Sequence, residues 1–389
     1  MLDVGSIRSQ IPASERVVYL NSGWSGPSPE IVNDAIIERL KLENRDGPTS
    51  PEVMANKVAI KQDLLNAAAS LFNVSDQELF LTQNTTEGIN IILNGLSWER
   101  GDEVVVCDIE HPSVLIPSYH LQALGVGVRV AHFESQFSYE QVLESISAEL
   151  TARTKLVFVS HIQYTSGFKM PIDLLAELLH QRGILLLVDG AQGAGHLEVD
   201  LNGLDVDFYA TTGHKWLLGP EGVGFLFIRK GLIDQVRPIH VSSHAVSDYD
   251  LRGNYSSNLD QMSKFGLTTS STALHAGSLE AIRFMRAIGL DNIQSYNLCL
   301  SRMVQEALTD IPDVHIFSPS ERETASALIS FSVKGTDSER LVERMWDEER
   351  IVARSISELS AVRLSLHCFN TQEEVAKIVA FISKFARGR

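Results

Sequence analysis

Seven short apolar runs punctuate the first two-thirds of the chain, and helix-patterned stretches lie between most of them. The runs are Glu78–Thr82, Glu103–Cys107, Val128–His132, Lys155–Val159, Ile184–Val188, Asp207–Ala210 and Gly224–Ile228. Val104–Val106 and Leu185–Leu187 carry no polar alternation, so both faces of the sheet they join must be covered. The apolar spacing of Tyr139–Leu150 and Ile172–His180 predicts helices in the intervals. Strands alternating with helices specify an α/β fold, a mainly parallel seven-stranded sheet held between helices.

Beyond about residue 270 the texture changes. Ser278–Ile288 and Ile293–Leu308 read as helices, Ala327–Phe331 and Ala361–Leu366 alternate as strands, and Thr371–Phe385 closes as a helix. Asn370 and Thr371, with Glu373 and Glu374 behind them, mark the start of that last helix. This is a small C-terminal α+β domain. The reading assigns residues 18–275 to a large domain and residues 1–17 with 276–389 to the small one. Ser247–Ser271 is rich in Ser, Gly, Asn and Tyr and reads as a loop of the kind that carries function.

Composition narrows the function class. With 44% hydrophobic and 21% charged residues the 389-residue chain is an ordinary soluble globular protein. A formal charge of -16 argues against a nucleic-acid partner. No apolar segment is long enough to cross a bilayer, so no membrane partner is expected. The first twelve residues lack a basic stretch followed by an apolar one, the mark of a secretory signal. Cys107, Cys299 and Cys368 stand too far apart for a disulfide framework or a metal site. The expectation is a cytoplasmic protein with no metal.

In open α/β sheets ligands sit at the carboxyl ends of the strands. Those ends here are polar: Thr82–Thr86, Asp108–His111, Ser160–His161, Asp189–Gln192 and Thr212–Lys215. Lys215, in Thr-Thr-Gly-His-Lys-Trp, follows one strand, and Asp189 ends another. A lysine and a carboxylate so placed suit pyridoxal 5'-phosphate (PLP): the amine condenses with the aldehyde, and the carboxylate keeps the pyridine nitrogen protonated. Taken singly, each has an ordinary reading as a surface lysine or a helix cap. Thr85 and Thr86 should open a helix whose free N–H groups and hydroxyls suit a phosphate, against the plainer reading of an N-cap. His111 offers a ring to stack on a flat cofactor, Gln192 a reach to its phenolic oxygen, and Thr212 with His214 donors to its phosphate. Trp24, in the turn Gly23–Pro27, lines a substrate mouth or packs the N-terminal arm on the core. Tyr249, Arg252 and Tyr255 shape a pocket or serve dimer contacts.

Jointly these motifs resemble class V of the PLP fold-type I enzymes, the cysteine desulfurases, selenocysteine lyases and their relatives. The resemblance runs from Leu20-Asn-Ser22-Gly23 to Arg363 and Phe369-Asn-Thr371. It implies Lys215, His111 and Asp189 as the catalytic group and Thr85, Thr86, Gln192, Thr212 and His214 as further cofactor contacts. Thr269 falls where the family brings a phosphate contact from the second subunit of a homodimer whose active sites lie at the interface. Ser22, Gly23, Trp24 and Tyr164 fall at the substrate, and Arg363 falls on the arginine that clamps the substrate carboxylate, a task suited to a guanidinium fork.

Two departures decide the subclass. Desulfurases carry a mobile-loop cysteine that takes the substrate sulfur, whereas here the interval before Arg363 reads Ser355-Ile-Ser-Glu-Leu-Ser-Ala361. Cys368 is not its equivalent, and Tyr164 stands where the family usually has asparagine. Within the family the chain most resembles the cyanobacterial L-cysteine/L-cystine C–S lyases. That resemblance implies β-elimination on L-cystine, and on L-cysteine, to give pyruvate, ammonia and cysteine persulfide or sulfide. The sulfur would pass to a transient acceptor for iron-sulfur cluster formation. Desulfurase-like, isopenicillin N epimerase-like and aminotransferase chemistry are alternatives on the same scaffold. A non-catalytic sulfur-assembly protein has no need of Lys215, Asp189 and Arg363 together.

Overall fold

The structure is a computed structural model that describes residues 2–133 and 138–387. Met1 and the last two residues of the span read as the small domain lie outside the described residues. The seven apolar runs become β1 (Leu79–Thr82), β2 (Glu103–Cys107), β3 (Gly127–Ala131), β4 (Thr154–Ser160), β5 (Leu185–Asp189), β6 (Phe208–Thr212) and β7 (Gly224–Ile228). They form one sheet in the order β1-β7-β6-β5-β4-β2-β3. Only β7 runs against its neighbours β1 and β6. The short connection 213–223 holds no helix, and a parallel return needs a crossover of a dozen residues or more.

Alternate residues of the central strands enter separate cores. Val105, Val157, Val159, Leu186 and Val188 pack with Leu64, Phe72 and Leu175 on one face. Val104, Val106, Leu156, Phe158 and Leu187 pack with Ile89, Ile92 and Val114 on the other. All ten strand residues are wholly buried, which explains the unbroken apolar runs. Burial of each such side chain contributes about 1.5–3 kcal/mol. The sheet is thereby rigid, and its strand ends are fixed platforms for side chains.

The C-terminal region forms an antiparallel sheet of β8 (Val314–Ile316), β9 (Leu328–Val333), β10 (Arg354–Ile356) and β11 (Ala361–Ser365), in the order β8-β9-β11-β10. Helices Leu290–Thr309 and Gln372–Arg387 pack on one another beside it. The last helix opens as its sequence predicts: Thr371 Oγ1 accepts from the Glu374 N–H at 3.2 Å, and the Glu374 carboxylate accepts from the Thr371 N–H at 3.2 Å. The N-terminal arm joins this region, because Val18–Tyr19 pair in parallel with Ile351–Val352 and Asn21 bridges to Ser365.

The stretch 247–271 is not simply a loop. Val246–Tyr249 and Tyr255–Ser257 form a short antiparallel hairpin, and Met262–Phe265 is a 3-10 turn. Leu251 at its tip is fully exposed, and no apolar alternation marks these strands. Among the described residues no helix is long and apolar enough to cross a membrane, and no cluster of three or more His, Cys, Asp or Glu could hold a metal ion.

Candidate active site

The carboxyl ends of the central strands converge on a pocket of about 260 Å³ that contains Lys215, Asp189, His111 and Thr212. Sheet register explains the convergence. Ser160 at the end of β4 sits beside Asp189 at the end of β5, and Asp189 sits beside Ala210 of β6, five residues before Lys215. A roomier cleft of about 540 Å³ lies near Tyr139, Phe168 and Glu323, but among the described residues no lysine, histidine or arginine lines it.

Each wall is locally determined. Helix Thr85–Gly95 starts at Asn84, whose side chain accepts from the Glu87 N–H at 2.9 Å. The Thr85 and Thr86 ends of that helix face the pocket, and the buried Thr85 hydroxyl has no protein partner among the described residues. Thr86 Oγ1 donates to Ser113 Oγ at 3.0 Å. His111 is the N-cap of helix Pro112–His120 and its Nδ1 accepts from the Ser113 N–H at 3.1 Å. The ring is therefore neutral with its hydrogen on Nε2, in keeping with burial and the nearby Lys215 holding its pKa down to about 4. The rings of His111 and Tyr164 meet edge to face at 4.9 Å. Thr212 Oγ1 and His214 Nδ1 are 2.7 Å apart. Just behind His111, the Glu110 carboxylate is buried against Ser160 and Gln163, and burial pushes its pKa up to about 7.

The turn predicted at Gly23–Pro27 covers one side. A side chain on Gly26 would meet the Lys215 carbonyl oxygen at 2.3 Å, and one on Gly23 would meet Ser365 Oγ at 2.8 Å and Arg363 Nη2 at 3.1 Å. Both glycines permit a close approach of this turn to the site. Ser22 is wholly buried with an unpartnered hydroxyl. Trp24 stands at the mouth, 56% exposed, with the Arg354 guanidinium 4.4 Å from its ring centre.

Burial dominates the electrostatics. The Lys215 residue keeps some surface open to the pocket, yet its amine lies deep in protein, and desolvation outweighs Asp189 to bring its pKa down to about 8. Asp189 is raised by burial, offset by the Ala191 N–H at 2.8 Å and by Lys215. An aromatic aldehyde added to the ligand-free protein should therefore condense with Lys215 faster as pH rises, because only the neutral amine attacks. The midpoint expected in a stopped-flow absorbance titration is about 8; a midpoint at the ordinary lysine value of 10.5 would show that the amine is not desolvated.

Arg363 is wholly buried. Its Nη1 donates to the Tyr164 carbonyl at 2.8 Å, while Nε and Nη2 have no protein partner among the described residues. Directly opposite across the strand pair stands Arg354, which lines the pocket. Two like charges opposed in a sheet repel, an arrangement that suits an anion between or beside them. The Tyr164 hydroxyl donates to the Glu358 carboxylate at 2.5 Å, so Tyr164 turns its polar end toward the turn Ser357–Leu359.

Lys215, Asp189, His111, Thr85, Thr86, Gln192, Thr212, His214, Trp24 and Tyr164 thus share one pocket, and Ser22, Gly23 and Arg363 adjoin it. Thr269 does not; it lines a separate cleft with Gln83 and His275. Tyr249 and Tyr255 are exposed on the hairpin and Arg252 lies at its tip, none of them on this pocket. Arg354, Ser113 and Glu358 belong to the surroundings of the site and carried no signal in the sequence reading. Cys107 and Cys368 are buried and Cys299 is exposed, and no cysteine lines the pocket. A buried amine, a carboxylate one strand away, a neutral imidazole and an unpartnered hydroxyl at a helix N-terminus fit a flat phosphorylated pyridine aldehyde.

Comparison with known proteins agrees with this geometry. The family model "Aminotransferase class-V" matches residues 18–378. A probable cysteine desulfurase of Methanothermobacter thermautotrophicus is 29% identical over 95% of this chain and 94% of its own length. The solved complex of the cystine C–S lyase C-DES with its reaction product cysteine persulfide is 28% identical, with a TM-score of 0.90 over 96% of this chain and 99% of that one. A C-DES mutant with glycine covalently linked to its PLP cofactor is 27% identical, with a TM-score of 0.90 over 97% and 98% of the two chains.

Proposed function

The chain belongs to the class-V aminotransferase family, and from that membership and the pocket at Lys215 we propose that this PLP-dependent enzyme is a carbon–sulfur lyase acting on L-cystine, and on L-cysteine. Its reaction takes cystine and water to pyruvate, ammonia and cysteine persulfide. The observation that carries the reading is an amino-acid pocket with no thiol in it: Lys215, Asp189 and Arg363 are in place, while among the described residues no cysteine lines the site. A desulfurase must hold the transferred sulfur on a cysteine; a lyase releases it on the product and needs none.

PLP, when bound, acts as an electron sink for the carbanion formed at the substrate α-carbon. The protein supplies binding, orientation and proton transfer. Arg363 Nε and Nη2, without a protein partner among the described residues, would donate to the substrate carboxylate, and Arg354 adds positive charge on the same face. Lys215 Nζ would take the α-proton from the bound substrate; its low pKa keeps a useful fraction neutral near pH 7–8. Asp189 would hold the proton on the pyridine nitrogen, and neutral His111 would lie against the ring. Thr85, Thr86, Thr212 and His214 would hold the phosphate, and Gln192 the phenolic oxygen. Ser22, Gly23, Trp24 and Tyr164 border the substrate. Thr269, remote from this pocket in its own protomer, reaches the phosphate of a partner in a homodimer with active sites at the interface. The enzyme works in the cytoplasm, and its persulfide passes to a transient acceptor for iron-sulfur cluster formation.

The test is to assay pyruvate and persulfide from cystine with a variant in which Cys107, Cys299 and Cys368 are all replaced by alanine. Pyruvate formation should stay within about threefold of the parent protein, because none of the three touches substrate. Alanine formation from cysteine, abolished in the variant, would instead establish a desulfurase.

A further inference from the structure

Gln192 is buried, and both ends of its amide are engaged. Oε1 accepts from the Trp216 indole N–H at 2.7 Å, and Nε2 donates to the Gly23 carbonyl at 2.8 Å. An amide can be turned over without changing its shape, so its direction is set by its partners. Indole N–H only donates and a carbonyl only accepts, so one orientation alone satisfies both. In that orientation the group with a hydrogen to spare is Nε2.

Trp216 is itself immobilised. His196 stacks on it at 3.7 Å and 18°, and His367 stacks at 5.5 Å and 25° on a column that continues to Phe369 at 5.3 Å. The tautomers of both histidines are determined. His196 Nε2 accepts from the Ala327 N–H at 2.8 Å, leaving Nδ1–H to donate to the Gln192 carbonyl at 3.0 Å. His367 Nδ1 accepts from the Cys368 N–H at 2.7 Å, leaving Nε2–H to donate to the Trp216 carbonyl at 3.0 Å. Burial holds His196 down to about 3 and His367 down to about 4, so both are neutral near pH 7 and the pattern holds there. The main chain of the residue after Lys215 and the side chain facing the pocket from Gln192 are thus gripped by one column, whose members His367 and Phe369 come from the C-terminal region.

We propose that Trp216 is a positioning residue that locks the Gln192 amide so that it presents a hydrogen-bond donor, never an acceptor, to the phenolic oxygen of PLP. A donor there stabilises the oxyanion form of the ring and keeps the cofactor electron-withdrawing. The inference rests on the PLP reading, which uptake of PLP by the parent protein tests separately through the appearance of a visible absorption band.

The experiment compares the parent protein with Trp216→Phe, Gln192→Leu and the double variant. Phenylalanine keeps an aromatic ring in the stack but loses the N–H together with part of the indole's volume. In Trp216→Phe the dissociation constant for PLP should rise about 3- to 10-fold, the loss expected for one hydrogen bond. The pH midpoint of the visible band should move upward, since an oxygen deprived of its donor keeps its proton to higher pH. In the Gln192→Leu background the same substitution should change the dissociation constant by less than about twofold and the midpoint by less than about 0.3 pH unit, because the two residues act as one unit. Additive effects, or an unaltered band in Trp216→Phe, would overturn the proposal. If Trp216→Phe unfolds, incorporation of 3-benzothienylalanine at position 216 keeps the ring shape without the N–H and must give the same shift; parent-like behaviour there would overturn it equally.

Discussion

Lys215→Ala lowers pyruvate formation from cystine by at least about 10³-fold, the largest loss expected of any single change in the protein. Two functions vanish with the amine: covalent capture of the aldehyde, and movement of the α-proton, which alone contributes about 10²–10⁴-fold. Among the described residues no other amine lines the pocket to replace it. His111 is a titratable group in the pocket, but its neutral ring already commits Nδ1 to the Ser113 N–H and its pKa lies near 4. It is a poor base for an α-proton. Borohydride treatment supplies the second readout. The parent protein should retain label from PLP after reduction and the variant should retain none, while both bind the phosphate end through Thr85, Thr86 and Thr212. Turnover within tenfold of the parent would remove Lys215 from the chemistry altogether.

The fold was readable because its central strands are buried on both faces, which forces unbroken apolar runs such as Val104–Val106 and Leu185–Val188. The reversal of β7 left no mark on its own composition; it follows from a connection too short for a crossover. The exposed hairpin at Val246–Ser257 went unseen for the opposite reason, since strands with no face to bury show no alternation. Lys215, Asp189 and Thr212 were legible because strand ends can be located once strands are. Arg354 was not. Its place opposite Arg363 is a matter of register between β10 and β11, and register depends on which residues pair across the turn Ser357–Leu359. The lock between Trp216 and Gln192 lay further still from view, because it joins side chains of two strand-to-strand connections through a single N–H. Sequence order says where such residues begin and nothing about where their polar atoms meet.

Arg363→Met separates binding from folding. The guanidinium is wholly buried, makes one hydrogen bond to the Tyr164 carbonyl, and leaves Nε and Nη2 without a protein partner among the described residues. Burial and the neighbouring Arg354 together press its pKa down to about 9, so the folded protein carries this cation at a cost. A buried charge short of partners weakens a fold, and an apolar replacement of similar volume is often neutral or stabilising. Loss of the single bond to Tyr164 costs about 1 kcal/mol in the other direction. The melting temperature without substrate should therefore hold steady or rise. Substrate binding should suffer as much as folding is spared. A bidentate pair with the substrate carboxylate in a dry site contributes about 2–5 kcal/mol, so kcat/KM for cystine should fall roughly 30- to several-thousand-fold. Most of that loss should appear in KM, because the carboxylate is held before and during proton removal alike. Arg363→Lys should recover only a part, since an ammonium cannot present two parallel donors. A variant that loses activity and melts several degrees lower would place Arg363 in the scaffold, not at the substrate.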